Sequence, residues 1–302
     1  MEKEFIQFVN RVTHCLRERL GEGYQMERKD TEGINGTVKH SLLLIRQDRD
    51  IHPCINLDAY YNLYQSGTDM ESLIVAMLKS CNEESPFGLS SIADFTDWEN
   101  VKLHIFAKLI NTEKNSSLLS RIPNRSCLDL SLVYYVRMEN LSGSECAVIQ
   151  INNEHATYWG VSEDVLCQSA WENLLKSDKA MLKDMTDILG PFFLMEETGK
   201  TSAGKDIVMY VLSNKCRVNG AVHMCNREAL REAAERMGDD FWILPSSVHE
   251  VILLPVSQTE DCAEGLVRIV KEVNDTQVEP QEILSYHVYR YSRKEGKITI
   301  AA

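Results

Sequence analysis

No run of this sequence approaches the roughly 18–20 consecutive apolar residues that span a bilayer. Its longest apolar stretches, 207–212 and 251–256, have the length of strands. Nor does the N-terminus read as a secretory leader, because Gln7, Asn10 and Arg11 break its apolar positions. A cytoplasmic protein with no membrane association is therefore expected. Paired metal-ligand cysteines are missing too. Cys15, Cys54, Cys81, Cys127, Cys146, Cys167, Cys216, Cys225 and Cys262 are scattered, odd in number and contain no C-x-x-C. That pattern excludes a disulfide-dense scaffold and a structural zinc site, leaving reduced, buried thiols with no metal and no cofactor expected. Cys216 and Cys225 flank an expected hairpin that would bring them toward each other. Basic blocks are equally scarce. With 32 Lys and Arg against 45 Asp and Glu the formal charge is −13, whereas direct nucleic-acid binding needs a basic footprint. The short basic stretch 290–297 reads as a strand edge guarded by charge.

What is present is ordinary globular material. Of 302 residues, 44% are hydrophobic and 25% charged, which excludes a disordered acidic tail or a low-complexity chain. At roughly 100–200 residues per domain the length suggests two domains or one large one. Phe5, Phe8, Val9, Val12, Leu16 and Leu20 recur at helical steps, and Gly21 and Gly23 end that helix. Extended segments are expected near 24–29, 38–46, 51–57 and 101–110, with a short aromatic helix at 58–64 and an Asp69-capped helix carrying Leu73, Ile74 and Met77 inward. Residues 129–138 alternate as a strand and 147–151 pairs with it. A Ser162-capped helix follows, with Leu166, Ala170, Trp171 and Leu174 facing inward. Strands at 207–212 and 220–224 and an Asn226-capped helix then repeat a strand, strand, helix rhythm. A strand at 251–256, a helix at 263–273 and a hairpin turning at Glu295-Gly296 complete the chain. Strands joined by short turns, with helices between groups, give an α+β class with a mostly antiparallel or mixed sheet. The polar stretch 176–205 is the expected boundary between subdomains 1–178 and 190–302.

Few motifs carry chemistry. Gly199-Lys200-Thr201 is no Walker loop, since Leu194 stands where the first glycine belongs. The densest cluster of reactive side chains is Ser246, Ser247, His249 and Glu250, at the entrance of an apolar strand. Ser246 or Ser247 as nucleophile and His249 as base, oriented by Glu250 or a distant acid, would make a hydrolase or transferase. Against this, His249 and Glu250 are adjacent on an extended chain and face opposite sides. There is no G-x-S-x-G elbow, and Leu253 replaces the second histidine of a zinc helix. A backbone-satisfying role for the same serines and imidazole is equally easy to write. Tyr60, Tyr61, Tyr64, Tyr134 and Tyr135 offer a third possibility, a small-ligand sensor.

Several segments resemble an uncharacterised family of gut-bacterial proteins, known only as a domain of unknown function. They are Ile55-Asn-Leu-Asp-Ala-Tyr-Tyr, Leu109-Ile-Asn-Thr-Glu-Lys-Asn, Ile122-Pro followed by Asp129-Leu-Ser-Leu-Val-Tyr-Tyr, and Ile243-Leu-Pro-Ser-Ser-Val-His-Glu-Val-Ile. A looser likeness to a second uncharacterised bacterial family runs through Trp159-Gly-Val-Ser and Ala170-Trp-Glu-Asn-Leu. The resemblance implies a bacterial protein with an accessory, mobile-element-associated role, and carries no activity, cofactor or site residue with it. Together with the acidic charge, it makes a non-enzymatic protein-interaction module with a protein partner the leading expectation, its oligomeric state left open.

Overall fold

The apolar stripe at the N-terminus forms α1 (Glu2–Leu20), which buries Phe8, Val9, Val12 and Leu16 and stops at Gly21, whose φ of +71° favours glycine. The computed structural model describes residues 2–46, 52–82, 92–139, 146–189, 208–245, 247–259 and 263–302. The chain divides into two compact units, Met1–Val101 with Met138–Ala147, and Lys102–Arg137 with Val148–Ala302.

In unit 1, α1 is followed by an antiparallel sheet of β1 (Gln25–Glu32), β2 (Val38–Ile45) and β3 (Cys54–Asn56) in that order. Asn35 and Gly36, both at positive φ, turn the chain between β1 and β2. Next come α2 (Leu57–Gln65), α3 (Met70–Asn82), α4 (Ile92–Thr96) and α5 (Trp98–Val101). Asn56 caps α2 by accepting from Asp58 N and Ala59 N, while Asp69 caps α3 by accepting from Ser72 N at 3.0 Å. Such caps contribute about 1 kcal/mol each. The core of this unit joins α1 to Leu42 and Leu44 of β2, Ile55, Leu57, and Leu73, Ile74 and Met77 of α3.

Unit 2 begins with β4 (Ile105–Asn111), α6 (Ser116–Leu119), β5 (Asn124–Cys127), β6 (Leu130–Glu139) and β7 (Cys146–Gln150). β6 pairs with β4, β5 and β7, and Leu130 through Val136 are buried on both faces. Residues 101–104, expected to be the start of an extended segment, are helical instead, so β4 begins only at Ile105. The helices α7 (Asn153–Trp159) and α8 (Glu163–Ser177) follow, and α8 packs on β4. Its inner face is Leu166, Cys167, Ala170 and Leu174, with Trp171 only half-buried.

The rest of the unit is β8 (Ala180–Asp184), α9 (Met185–Leu189), β9 (Tyr210–Asn214), α10 (Arg227–Met237), β10 (Phe241–Leu244), β11 (Val251–Pro255), α11 (Ala263–Gln277), β12 (Tyr289–Ser292) and β13 (Lys297–Ile300). Among the described residues these strands form a six-stranded antiparallel sheet ordered β13-β12-β10-β11-β9-β8. The α+β class is therefore shown. The subdomain boundary expected at 178–190 falls inside unit 2, because β8 pairs with β9 across it. The expected strand at 220–224 is a 3-10 segment, Gly220–Cys225, so the strand, strand, helix rhythm is not repeated. The cause is close packing. A Cβ on Gly220 would meet Asn214 N and His249 O at 2.7 Å each, and the chain turns against β9 instead of extending beside it.

A buried polar network ties the two sheets together. Arg137, near the end of β6, places Nη1 3.1 Å from Asp178 Oδ2, with side-chain exposures of 11% and 3%. Asn214 Nδ2 donates to the same oxygen at 3.1 Å, and the Arg137 guanidinium lies 3.5 Å over the Phe106 ring. His223 Nε2 donates to the Asp178 carbonyl at 2.9 Å, which leaves the buried Nδ1 as an unprotonated acceptor with no protein partner. Removing one member of a buried pair strands the other charge. Asp178→Ala is expected to cost about 3–5 kcal/mol in urea denaturation with an unchanged slope. Replacing both partners (Arg137→Met with Asp178→Leu) is expected to recover part of that loss.

Burial lowers the pKa of His223, outweighing the pull of Asp178. Between that depressed folded value and the ordinary ~6.5, the unfolded chain binds the proton that the folded chain refuses. Stability is thus fully present above the unfolded value and falls as pH drops through this window. Urea midpoints at about pH 7.5 and about pH 5.5 are expected to differ more for the natural chain than for His223→Gln.

Candidate functional site

The segment singled out in the sequence forms the connection between β10 and β11, with Ser246 outside the described residues. Ser247 Oγ accepts from His249 N at 3.0 Å, and Ser247 N donates to Glu250 O at 3.4 Å. The hydroxyl thus serves the backbone of its own turn. His249 Nδ1 accepts from Asn219 N at 3.2 Å, so Nε2 carries the proton and faces Glu282 Oε1 at 3.2 Å. Both imidazole nitrogens are occupied, and the acid beside the ring is Glu282 rather than Glu250. The surrounding backbone is knitted as well: Ser213 Oγ donates to His249 O at 2.8 Å and Val248 N to Glu282 O at 2.8 Å. The structure brings Ser247, His249 and Glu282 together as a brace between the Gly220 turn and the 279–282 loop.

A second constellation lies elsewhere in unit 2. Asp129 occupies the two-residue turn between β5 and β6, next to Leu128, whose φ of +60° is unusual for a bulky side chain. The carboxylate is a hub. Oδ2 accepts from Ser285 Oγ at 2.8 Å and from His287 Nδ1 at 3.0 Å, while Oδ1 accepts from Tyr289 Oη at 2.8 Å. Ser285, His287 and Tyr289 alternate along an extended segment entering β12, so their side chains share one face. Ser285 Oγ also accepts from His287 N at 3.0 Å, and Asn274 Nδ2 donates to Ser285 O at 2.9 Å. Burial alone would raise the pKa of Asp129, but the bonds from His287, Tyr289 and Ser285 together outweigh it and the net shift is downward. Burial, reinforced by Asp129, holds Tyr289 far above its ordinary value and therefore protonated.

An ionised carboxylate only accepts, so His287 must carry its proton on Nδ1. In the neutral ring Nε2 is then the acceptor nitrogen, and the side chain is 51% exposed. Ser285 is fully buried and gives its proton to Asp129, so it is no nucleophile. The arrangement is an Asp–His dyad with a fixed tautomer, suited to accept a proton at Nε2. Sequence reading missed it because Asp129 and His287 are 158 positions apart. The available signal was the Ser-x-His-x-Tyr alternation, which places three polar groups on one face of an otherwise apolar segment.

The tyrosines considered for a ligand pocket are placed differently. Tyr61 and Tyr64 line a cleft of about 400 Å³ in unit 1 with Phe8, Arg11 and Met70, and Tyr60 packs against that unit's core. Tyr134 and Tyr135 are buried in β6, where Tyr134 Oη donates to Glu163. A larger open cleft of about 780 Å³ in unit 2 runs past Pro123, Asn153, Thr157 and Glu163. Among the described residues no group of three or more His, Cys, Asp or Glu is placed to hold a metal ion, and no helix is long and apolar enough to cross a membrane. Cys225 lies against Cys127, with Sγ atoms 2.6 Å apart, and Cys216 is exposed.

Residues 5–293 match the profile of DUF5688, a family of unknown function. The chain belongs to this family. The match covers nearly the whole sequence, so it takes in most of both units of this DUF5688 protein. No curated protein and no solved structure matches the chain.

Proposed function

We propose that this DUF5688 protein is an acid–base catalyst in which His287 accepts a proton from water attacking a carbonyl ester. The reading rests on one observation, the carboxylate of Asp129 fixing Nδ1–H of a half-exposed imidazole while Ser285 and Tyr289 fix the carboxylate. Such a pair holds the ring in the productive tautomer before substrate arrives, and Asp129 stabilises the imidazolium that forms. Proton abstraction by a positioned base contributes roughly 10²–10⁴-fold. With p-nitrophenyl acetate as probe, His287→Gln is expected to lower the protein-dependent rate by about 10²-fold. Asp129→Asn is expected to lower it as well, because an amide can donate to Nδ1 and invert the tautomer. Equal rates for the natural chain and His287→Gln, with folding intact by circular dichroism, would sink the proposal.

A second reading, the non-enzymatic interaction module, draws support from β1. It is an eight-residue edge strand, paired only with β2 among the described residues and exposed at every position but Met26. Its outer backbone groups suit addition of an extended segment from a protein partner. Its charges Glu27, Arg28, Lys29, Asp30 and Glu32 restrict that edge to a complementary strand. Capture from host lysate is expected to retain one stoichiometric protein at low salt. Retention should fall at moderate salt and be lost in a Glu27→Lys/Glu32→Lys variant. Retention indifferent to both changes would remove β1 as the docking edge.

A further inference from the structure

The structure assigns Cys127 and Cys225 as a reversible redox pair that closes to a disulfide when a low-molecular-weight disulfide such as oxidised glutathione accepts their electrons. This inference is independent of the proposed catalysis. Cys127 is the last residue of β5 and Cys225 the last of the 3-10 segment that leads into α10. Both side chains are half-buried thiols, and their sulfurs stand 2.6 Å apart. That separation is within about 0.6 Å of a disulfide bond length, so closure needs only a small adjustment of the two side chains. The two thiols are chemically unequal. The contact with Cys225 pulls the thiol of Cys127 below its ordinary value, against the opposing effects of burial and Asp129. The same contact, with burial, pushes Cys225 well above it.

The chemistry follows that inequality. The thiolate of Cys127 attacks one sulfur of oxidised glutathione, forming a mixed disulfide and expelling one glutathione thiolate. Cys225 then gives up its proton, attacks Cys127 Sγ and expels the second glutathione. The chain loses two protons and two electrons, and one glutathione disulfide becomes two glutathiones. The product cross-links the β5–β6 hairpin to the start of α10, positions 98 residues apart in sequence. Closing so long a loop restricts the unfolded chain, which is expected to raise Tm by roughly 5–10 °C.

The test uses the full chain equilibrated across glutathione redox buffers, alkylated with N-ethylmaleimide and mapped by peptide mass spectrometry. The expected result is a Cys127–Cys225 disulfide peptide, lighter by two hydrogens, that dithiothreitol removes, together with a raised Tm. Cys127→Ser and Cys225→Ser are each expected to abolish both changes. Full alkylation of both thiols in the most oxidising buffer would overturn the inference. So would a mixed glutathione adduct at Cys127 that never resolves, or a bond that resists millimolar dithiothreitol in the folded chain. The mapping is read on the natural sequence, so it stands even if a serine variant folds poorly.

Discussion

The architecture of unit 2 depends on one strand carrying a carboxylate-centred cluster at each end. β6 is buried on both faces from Leu130 to Val136, so its backbone polar groups are served by neighbouring strands. Just before it, Asp129 gathers the donors of Ser285, His287 and Tyr289 at the entrance to β12. Near its far end Arg137 reaches Asp178, which also holds Asn214 at the end of β9. The two clusters are separated by about 26 Å of extended chain. In the six-stranded sheet, β12 and the β9–β8 edge are separated by β10 and β11. β6 therefore runs across that sheet's strand order, fastened on both sides by a carboxylate that accepts several bonds. Apolar contact fixes little in direction. Multiply bonded carboxylates set the register because each unpaired donor would cost free energy in the interior.

The same logic separates the histidines of this chain by what each nitrogen does. His155 accepts from Asn152 N through Nδ1 as part of a capping box on α7, and burial lowers its pKa, which suits an acceptor. His223 is sealed in the core with a carbonyl on Nε2. His249 has a backbone donor on Nδ1 and Glu282 on Nε2, the reverse of the arrangement that would free Nε2 for a substrate. Only at His287, among these four, does a carboxylate take Nδ1–H while half the ring faces solvent. A histidine's neighbours in sequence say little about this. Its tautomer is a property of the fold.

That explains which features were legible. The stripe of α1, the Asp69 and Asn226 caps and the Glu295-Gly296 turn are local, and each is readable within a few residues. Residues 220–224 misled because Ala221, Val222 and Met224 match a buried strand. The deciding fact, that no Cβ fits at Gly220 between Asn214 N and His249 O, is a long-range contact. α7 escaped because its capping box uses His155 in the place usually held by Glu or Gln. The 246–250 cluster drew attention by density of reactive side chains, yet Ser247 and His249 serve their own backbone and a brace to Glu282. The Asp129 hub could not be assembled from the sequence, because its donors arrive from a segment more than 150 residues away.

The turn between β5 and β6 concentrates these constraints in three consecutive residues. Cys127 contacts a thiol from the start of α10, Leu128 holds a left-handed φ, and Asp129 collects three donors. A left-handed backbone costs a residue such as leucine roughly 1–2 kcal/mol. Glycine would relieve it, but it would also loosen the one residue separating two anchored neighbours. Leu128 is itself exposed, so its side chain is not held there by burial. The strain is sustained by the contacts on either side: the hairpin register brings Cys127 opposite Leu130, and the hub fixes the direction of Asp129. A stiff residue in a strained turn transmits displacement between its neighbours better than a permissive one. What happens at the sulfur of Cys127 is thus mechanically close to the carboxylate that orients His287.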